Sequence, residues 1–299
     1  MLPTNVPTST NTQSQAKEKL PWSEESFVPI AQRRVWINGL LGVAKYELGR
    51  SFSLSRLMGI LLIVAFPVAL ISAVKLQLDM RTQIQPNEKF FLFSFVSYAL
   101  IPQIATMLSL LLWATPAVNS ELEGQTWIYA LIRPNGRMVL VLGKYLVAVF
   151  WSIIAGTLAI SVLVPILNLE RGLELWWTIW RLLILASIAY SGLYILIGTF
   201  FQRRAMLVAF IYTVVIEGFL SFLPATINQL TVSFRLRSLM IQWLELDLPR
   251  EMRNASQIFD TSGQIHLILE IVLYTVLCLG LSLFWLRRSE YSLQPEAAV

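Results

Sequence analysis

The chain reads as an all-α polytopic membrane protein with six transmembrane helices, and three observations predict it. Of its 299 residues, 56% are hydrophobic. Only 14% are charged, where soluble domains carry about 25%. Several apolar runs pass the ~18 residues that suggest a membrane-crossing helix. A soluble fold of this composition would need an implausibly large dry core. Cys278 is the only cysteine and His266 the only histidine. That excludes an intrachain disulfide, a cysteine-based metal cluster and any multi-histidine metal motif. The net charge of +5 is spread along the chain, with no basic domain, so the expected partner is the lipid bilayer and not nucleic acid.

Residues 1–28 are polar and rich in Pro, Ser and Thr, and are expected to form a disordered tail. They hold no early apolar core, so no signal peptide is expected. In residues 29–56, Trp36, Leu40, Val43, Ala44 and Leu48 recur at helical spacing against Arg33, Arg34, Lys45 and Arg50. This predicts an amphipathic interfacial helix with its cations toward the headgroups. A six-span domain then fills 57–288. Its spans lie near Leu57–Val74, Phe90–Trp113, Val139–Leu167, Leu175–Phe201, Ala205–Leu223 and Ile265–Leu286. Pro67, Pro102 and Pro165 fall within or near these runs, where neighbouring helices can satisfy a freed carbonyl. Residues 289–299 form a second tail.

With the N-terminus inside, the 23 Lys and Arg divide 14 to 9 in favour of the inner side. The pairs Arg33-Arg34, Arg203-Arg204 and Arg287-Arg288 all abut span ends there. The positive-inside rule then puts both termini in the cytoplasm of a multi-pass cell-membrane protein. Loop 224–264 falls outside. Its segment LTVSFRLRSLMIQWLELDLP is too charged to span but apolar enough to cap the outer mouth as short helices before the last span.

The stretch SELEGQTWIYALIRPNGRMVLVLGKYL, residues 120–146, breaks the apolar pattern. Pro116 disfavours a straight continuation of the second span. Ser120-Glu121-Leu122-Glu123 reads as a capping box, in which the Glu123 carboxylate reaches back to the Ser120 amide. Glu121 and Glu123 then sit at the positive end of a helix dipole and Arg133 at its negative end. Pro134-Asn135-Gly136 stops the helix. About 12 residues, roughly 18 Å, cannot cross a bilayer and are marginal alone in water, so this helix must pack on something.

The groups E-L-E-G-Q-T, L-I-R-P-N-G-R and L-G-K-Y-L resemble, in order and spacing, a stretch of the ABC-2 family of ABC transporter permeases. The matching positions are Glu121, Glu123, Gly124, Thr126, Leu131, Pro134, Arg137, Leu142, Gly143, Lys144 and Leu146. The chain departs from the family in Gln125, which separates Gly124 from Thr126, in Trp127, and in Asn135-Gly136. The resemblance implies that helix 120–134 is a cytoplasmic coupling helix seated in a cleft of a separate ATPase subunit. Glu121 and Glu123 would face that subunit, Gly124 would permit close approach, Arg133 and Pro134 would fix the helix end, and Thr126 and Arg137 would belong to the same coupling set. Lys144 would anchor the third span by snorkelling. A second permease copy or paralogue would complete the pathway, and ATP and Mg would bind the partner. No cofactor is expected on this chain. It lacks G-x-x-x-x-G-K-[ST], since Gly143-Lys144 runs into Tyr145 without the preceding glycine.

Two acidic residues fall inside apolar runs, where an ionisable group suggests function. Glu217 lies in the fifth span and Glu270 at the start of the sixth. Pairing with Arg181 or exposure to a wet outer vestibule would account for them; substrate passage is the alternative. LWWTIW, residues 175–180, fits an interfacial aromatic belt better than a ligand cage. The function expected is an exporter permease subunit. A non-transporting anchor for a cytoplasmic partner, or an intramembrane enzyme, would share the topology, although no nucleophile–base set supports the enzyme.

Overall fold

The computed structural model describes residues 32–80, 85–117, 119, 121, 136–201, 204–219, 231–246 and 262–288, with backbone alone at 32–36 and 55. Both predicted tails and the predicted helix 120–134, apart from Glu121, lie outside these residues. Every described element is a helix. In chain order they are α1 (Gln32–Ser51), α2 (Leu54–Asp79), α3 (Pro86–Tyr98), a π-helical segment (Ala99–Ala105), α4 (Thr106–Trp113), α5 (Gly136–Leu167), α6 (Gly172–Phe200), α7 (Ala205–Tyr212), a second π-helical segment (Thr213–Phe219), α8 (Val232–Leu244) and α9 (Gln264–Arg288).

Five helical stretches are long and apolar enough to cross a membrane: Arg56–Asp79, Pro86–Ala117, Gly136–Leu167, Gly172–Phe200 and Gln264–Arg288. The stretch Ala205–Phe219 is apolar but shorter. Its 15 residues reach about 22 Å, against a hydrocarbon core of about 30 Å. The expected fifth span ran on to Leu223, and its last four residues lie outside those described.

Local chemistry sets the helix ends and irregularities. Pro86 occupies the first turn of α3, where its missing N–H costs nothing. Pro102 falls inside the first π segment: it has no N–H to donate and its ring crowds the preceding turn, so the helix widens there. The Thr106 hydroxyl donates to the Ile101 carbonyl at 3.2 Å beside it. Thr231 caps α8, its side chain accepting from the Phe234 amide at 3.3 Å.

α6 is the centre of the bundle. In its apolar span 78% of residues are buried, against 22% in α2, which lies at the periphery. Small residues let the neighbours approach it. A Cβ on Gly156 of α5 would come within 2.4 Å of Leu183 of α6. One on Gly198 of α6 would come within 2.4 Å of the Thr115 carbonyl oxygen. Hydroxyl pairs also reach α6 from its neighbours: Ser152 of α5 to Ser187 at 3.1 Å, and Ser282 of α9 to Thr199 at 3.2 Å. Leu61 and Leu62 of α2, Phe210 and Ile211 of α7, and Leu273 and Leu277 of α9 point outward. An apolar exterior around a packed centre is what lipid solvent selects.

Contacts fix the two ends of the bundle. At one end, α1 packs on the start of α5, and the Arg137 guanidinium donates to the Leu286 carbonyl near the end of α9 at 3.2 Å. Phe200, closing α6, stacks on Trp285 at 4.3 Å. At the other end, Lys75 of α2 donates to the Ile166 carbonyl of α5 at 2.7 Å, and Arg171 donates to the Leu244 carbonyl of α8 at 3.2 Å.

Candidate functional site

Two buried polar centres stand out, one near the α1 end and one deep in the bundle. The first is built on Lys144. Gly143 brings α1 and α5 together, since a Cβ there would meet Val43 at 2.7 Å. One turn on from Val43, Glu47 thus reaches Lys144, with Nζ to Oε1 3.7 Å. The same ammonium lies 2.6 Å from Glu121 Oε1 and donates to the Ala117 carbonyl at 2.9 Å. Three parts of the chain meet on one lysine: α1, the turn after α4, and α5.

This corrects one expectation. Lys144 does not snorkel: it is 7% exposed and turned inward onto two carboxylates. Glu121 is 5% exposed, and its carboxylate holds Lys144. Arg137 is half-buried and directed at the end of α9. Glu123, Gly124, Thr126, Arg133 and Pro134 lie outside the described residues. Beside this centre Trp113 stacks on Trp151 at 5.6 Å, Phe52 meets Trp151 edge-on, and the Arg56 guanidinium lies 5.0 Å above the Trp113 ring. Glu47 escaped the sequence reading, which sorted α1 by its apolar and basic residues.

The second centre is built on Glu217, which is fully buried in the second π segment. Its carboxylate accepts from the Tyr190 hydroxyl at 3.1 Å, the Tyr212 hydroxyl at 3.2 Å and the Ser233 hydroxyl. It also accepts from the backbone amides of Val232 at 3.3 Å and Ser233 at 3.2 Å, the first two residues of α8. All five partners are donors, the complement of an acceptor-only carboxylate, and the helix dipole adds to the attraction. Gln103, in the first π segment, donates to the Glu217 carbonyl at 3.1 Å, so the two widened segments face each other. Tyr98 donates to the Ser233 carbonyl at 2.8 Å, and Tyr194 pairs with Thr213.

The start of α8 is therefore deep in the bundle. Tyr190 lies 18 residues beyond Gly172, about 27 Å along α6, whereas the end of α8 reaches Arg171 at its rim. The segment expected to cap a mouth of the bundle instead enters the bundle as α8, with Phe234, Leu236, Arg237, Leu239 and Met240 buried. Glu217 does not pair with Arg181, whose guanidinium sits 5.2 Å above the Trp243 ring. Glu270 is bound too: Arg235 of α8 donates to it at 2.7 Å, and His266 Nδ1 lies 3.5 Å away. At the rim, hydrogen bonding to Glu174 raises the Arg171 pKa above the ordinary arginine value.

Among the described residues no three His, Cys, Asp or Glu side chains gather where a metal ion could sit. No protein-family model matches the chain, and no curated protein matches it either.

Proposed function

We propose that the chain is the membrane-spanning subunit of an ABC exporter, driven by a separate ATPase subunit that binds ATP and Mg and seats the helix 120–134. The motif around Glu121–Lys144 suggests the reading, and the Lys144 centre is the observation that carries it. A segment that is to pass force from a partner to the spans needs a stiff joint at its base. Lys144 ties Glu121, at the head of that segment, to α5 and through Glu47 to α1. A buried, hydrogen-bonded ion pair resists displacement far better than an exposed one.

In this reading the bilayer is crossed six times, and the fifth crossing is made in two pieces. The stretch Ala205–Phe219 rises from the end where α6 finishes, and α8 completes the passage to the end where α9 begins. Trp243 donating to Gln264 at 3.2 Å supports that second junction. The α1 end faces the cytoplasm of the cell membrane, both termini included, and a second copy or a paralogue supplies the other half of the pathway. Glu217 and Glu270 act in holding α8, so substrate contact at either requires α8 to move.

A neighbouring gene for an ATPase with a phosphate-binding loop, its co-purification with this chain, and ATP-dependent transport in vesicles test the reading. Glu123→Arg is expected to leave membrane insertion intact and abolish both association and transport. Association with a partner that never supports transport would make the chain an anchor; no ATPase partner at all would end the proposal.

A further inference from the structure

The turn between α5 and α6 carries a groove of about 510 Å³ that neither polar centre uses. Ser161, Val164, Asn168, Glu170, Trp176 and Trp177 are among the residues lining it. Its depth in the membrane follows from topology alone. It joins two helices that are each long enough to cross, so it lies at a membrane face whichever way the chain is oriented. Its volume suits a headgroup-sized ligand.

The walls are built and not accidental. Asn168 sits at φ 50°, a left-handed position that asparagine tolerates, and it turns the chain sharply out of α5. The Trp176 indole N–H donates to Ser161 at 3.2 Å across the two helices, and Trp176 stacks on Trp180 at 6.0 Å, so its plane is fixed. Trp177 stands perpendicular to it, at 89° with centroids 5.0 Å apart, and is 46% exposed. Indole faces attract cations, ammonium groups among them. The one carboxylate in the lining, Glu170, is exposed and has no ion-pair partner among the described residues. The neighbouring cation does not neutralise it: Arg171 is held by Glu174 in two hydrogen bonds of 2.7 and 2.6 Å and lies over the Phe90 ring. Pro165 and Leu173 add an apolar edge that continues toward the hydrocarbon.

We propose that this groove binds the ammonium headgroup of a zwitterionic phospholipid, with the ammonium between Glu170 and an indole face and the glycerol against Pro165 and Leu173. The tryptophan run keeps its place in the interfacial belt, and a headgroup is the ligand found at that depth. The site does not depend on the transport reading.

Native mass spectrometry of the full chain, released from micelles holding equal amounts of phosphatidylethanolamine and phosphatidylglycerol with identical acyl chains, tests it. The wild type is expected to retain the zwitterionic lipid over the anionic one by about threefold or more. Glu170→Gln and Trp177→Ala should each bring the ratio close to one, with an unchanged melting temperature. Glu88→Gln, an exposed acid at the start of α3, should leave the ratio intact. A wild type without preference or favouring the anionic lipid, or a Glu170→Gln variant that keeps the wild-type ratio, would overturn the assignment.

Discussion

Lys144 and Glu217 illustrate how differently one membrane protein can satisfy a buried charge. Lys144 is neutralised by side chains: its ammonium has Glu121 at 2.6 Å and Glu47 at 3.7 Å. Removing one member of such a pair leaves the other charge buried, at a cost of about 3–5 kcal/mol. Lys144→Met should accordingly lower the melting temperature in detergent sharply, and adding Glu121→Gln should recover much of the loss. A single variant that melts like the wild type would show the pair to be unimportant. Glu217 is satisfied by donors, two of them backbone amides that only a proline would remove. Glu217→Gln keeps the shape but turns two N–H donors toward a shell of donors. We expect it to destabilise nearly as much as Glu217→Ala and to raise the protease sensitivity of the α8 region. A glutamine variant indistinguishable from the wild type would remove the capping role.

At the scale of elements, close approach at glycine decides how α6 can be surrounded. A methyl on Gly198 would lie 2.4 Å from the Thr115 backbone oxygen, and backbone cannot rotate out of the way as a side chain can. Overpacking of this kind costs about 1–3 kcal/mol. Gly198→Ala should therefore lower the melting temperature by several degrees, whereas Gly280→Ala, with nothing within 4 Å, should not change it. Equal effects at both positions would mean that α6 is free to shift. Much of this level was legible in the sequence. Apolar run length located the five long helices to within a few residues, and Pro102 marked the place where the first π segment forms. The second π segment has no proline, and nothing local in TVVIEGF announces it. Its widening becomes intelligible only beside Gln103 and the start of α8, contacts that span 114 and 15 to 16 residues of sequence. The inserted pose of α8 was hidden for the same reason. Arg235 and Arg237 suggested a surface helix, and only the bundle supplies Glu270 as the partner for Arg235.

For the whole molecule, the balance of charge between the two ends argues for one orientation. Near the α1 end the described cations are Lys45, Arg50, Arg56, Lys144, Arg137, Arg204, Arg287 and Arg288, while the described acids there, Glu47 and Glu121, are both engaged by Lys144. The opposite end mixes the signs, with ion pairs such as Lys89–Asp79, Arg171–Glu174 and Arg235–Glu270. By the positive-inside rule, the end with the excess of cations is predicted to be the cytoplasmic one. Because Cys278 is the only cysteine and is buried, a Cys278→Ala background allows single reporters to be read cleanly. In intact cells a membrane-impermeant thiol reagent should label Glu88→Cys and Gly263→Cys. It should reach Lys45→Cys and Arg288→Cys only in inverted vesicles. The Gly263 reporter also counts the crossings. If the stretch Ala205–Phe219 and α8 together carry the chain across, Gly263 lies on the side of Glu88, and α9 returns Arg288 to the side of Lys45. If they do not, Gly263 is labelled with Lys45, and the bundle has five crossings with its two termini on opposite faces.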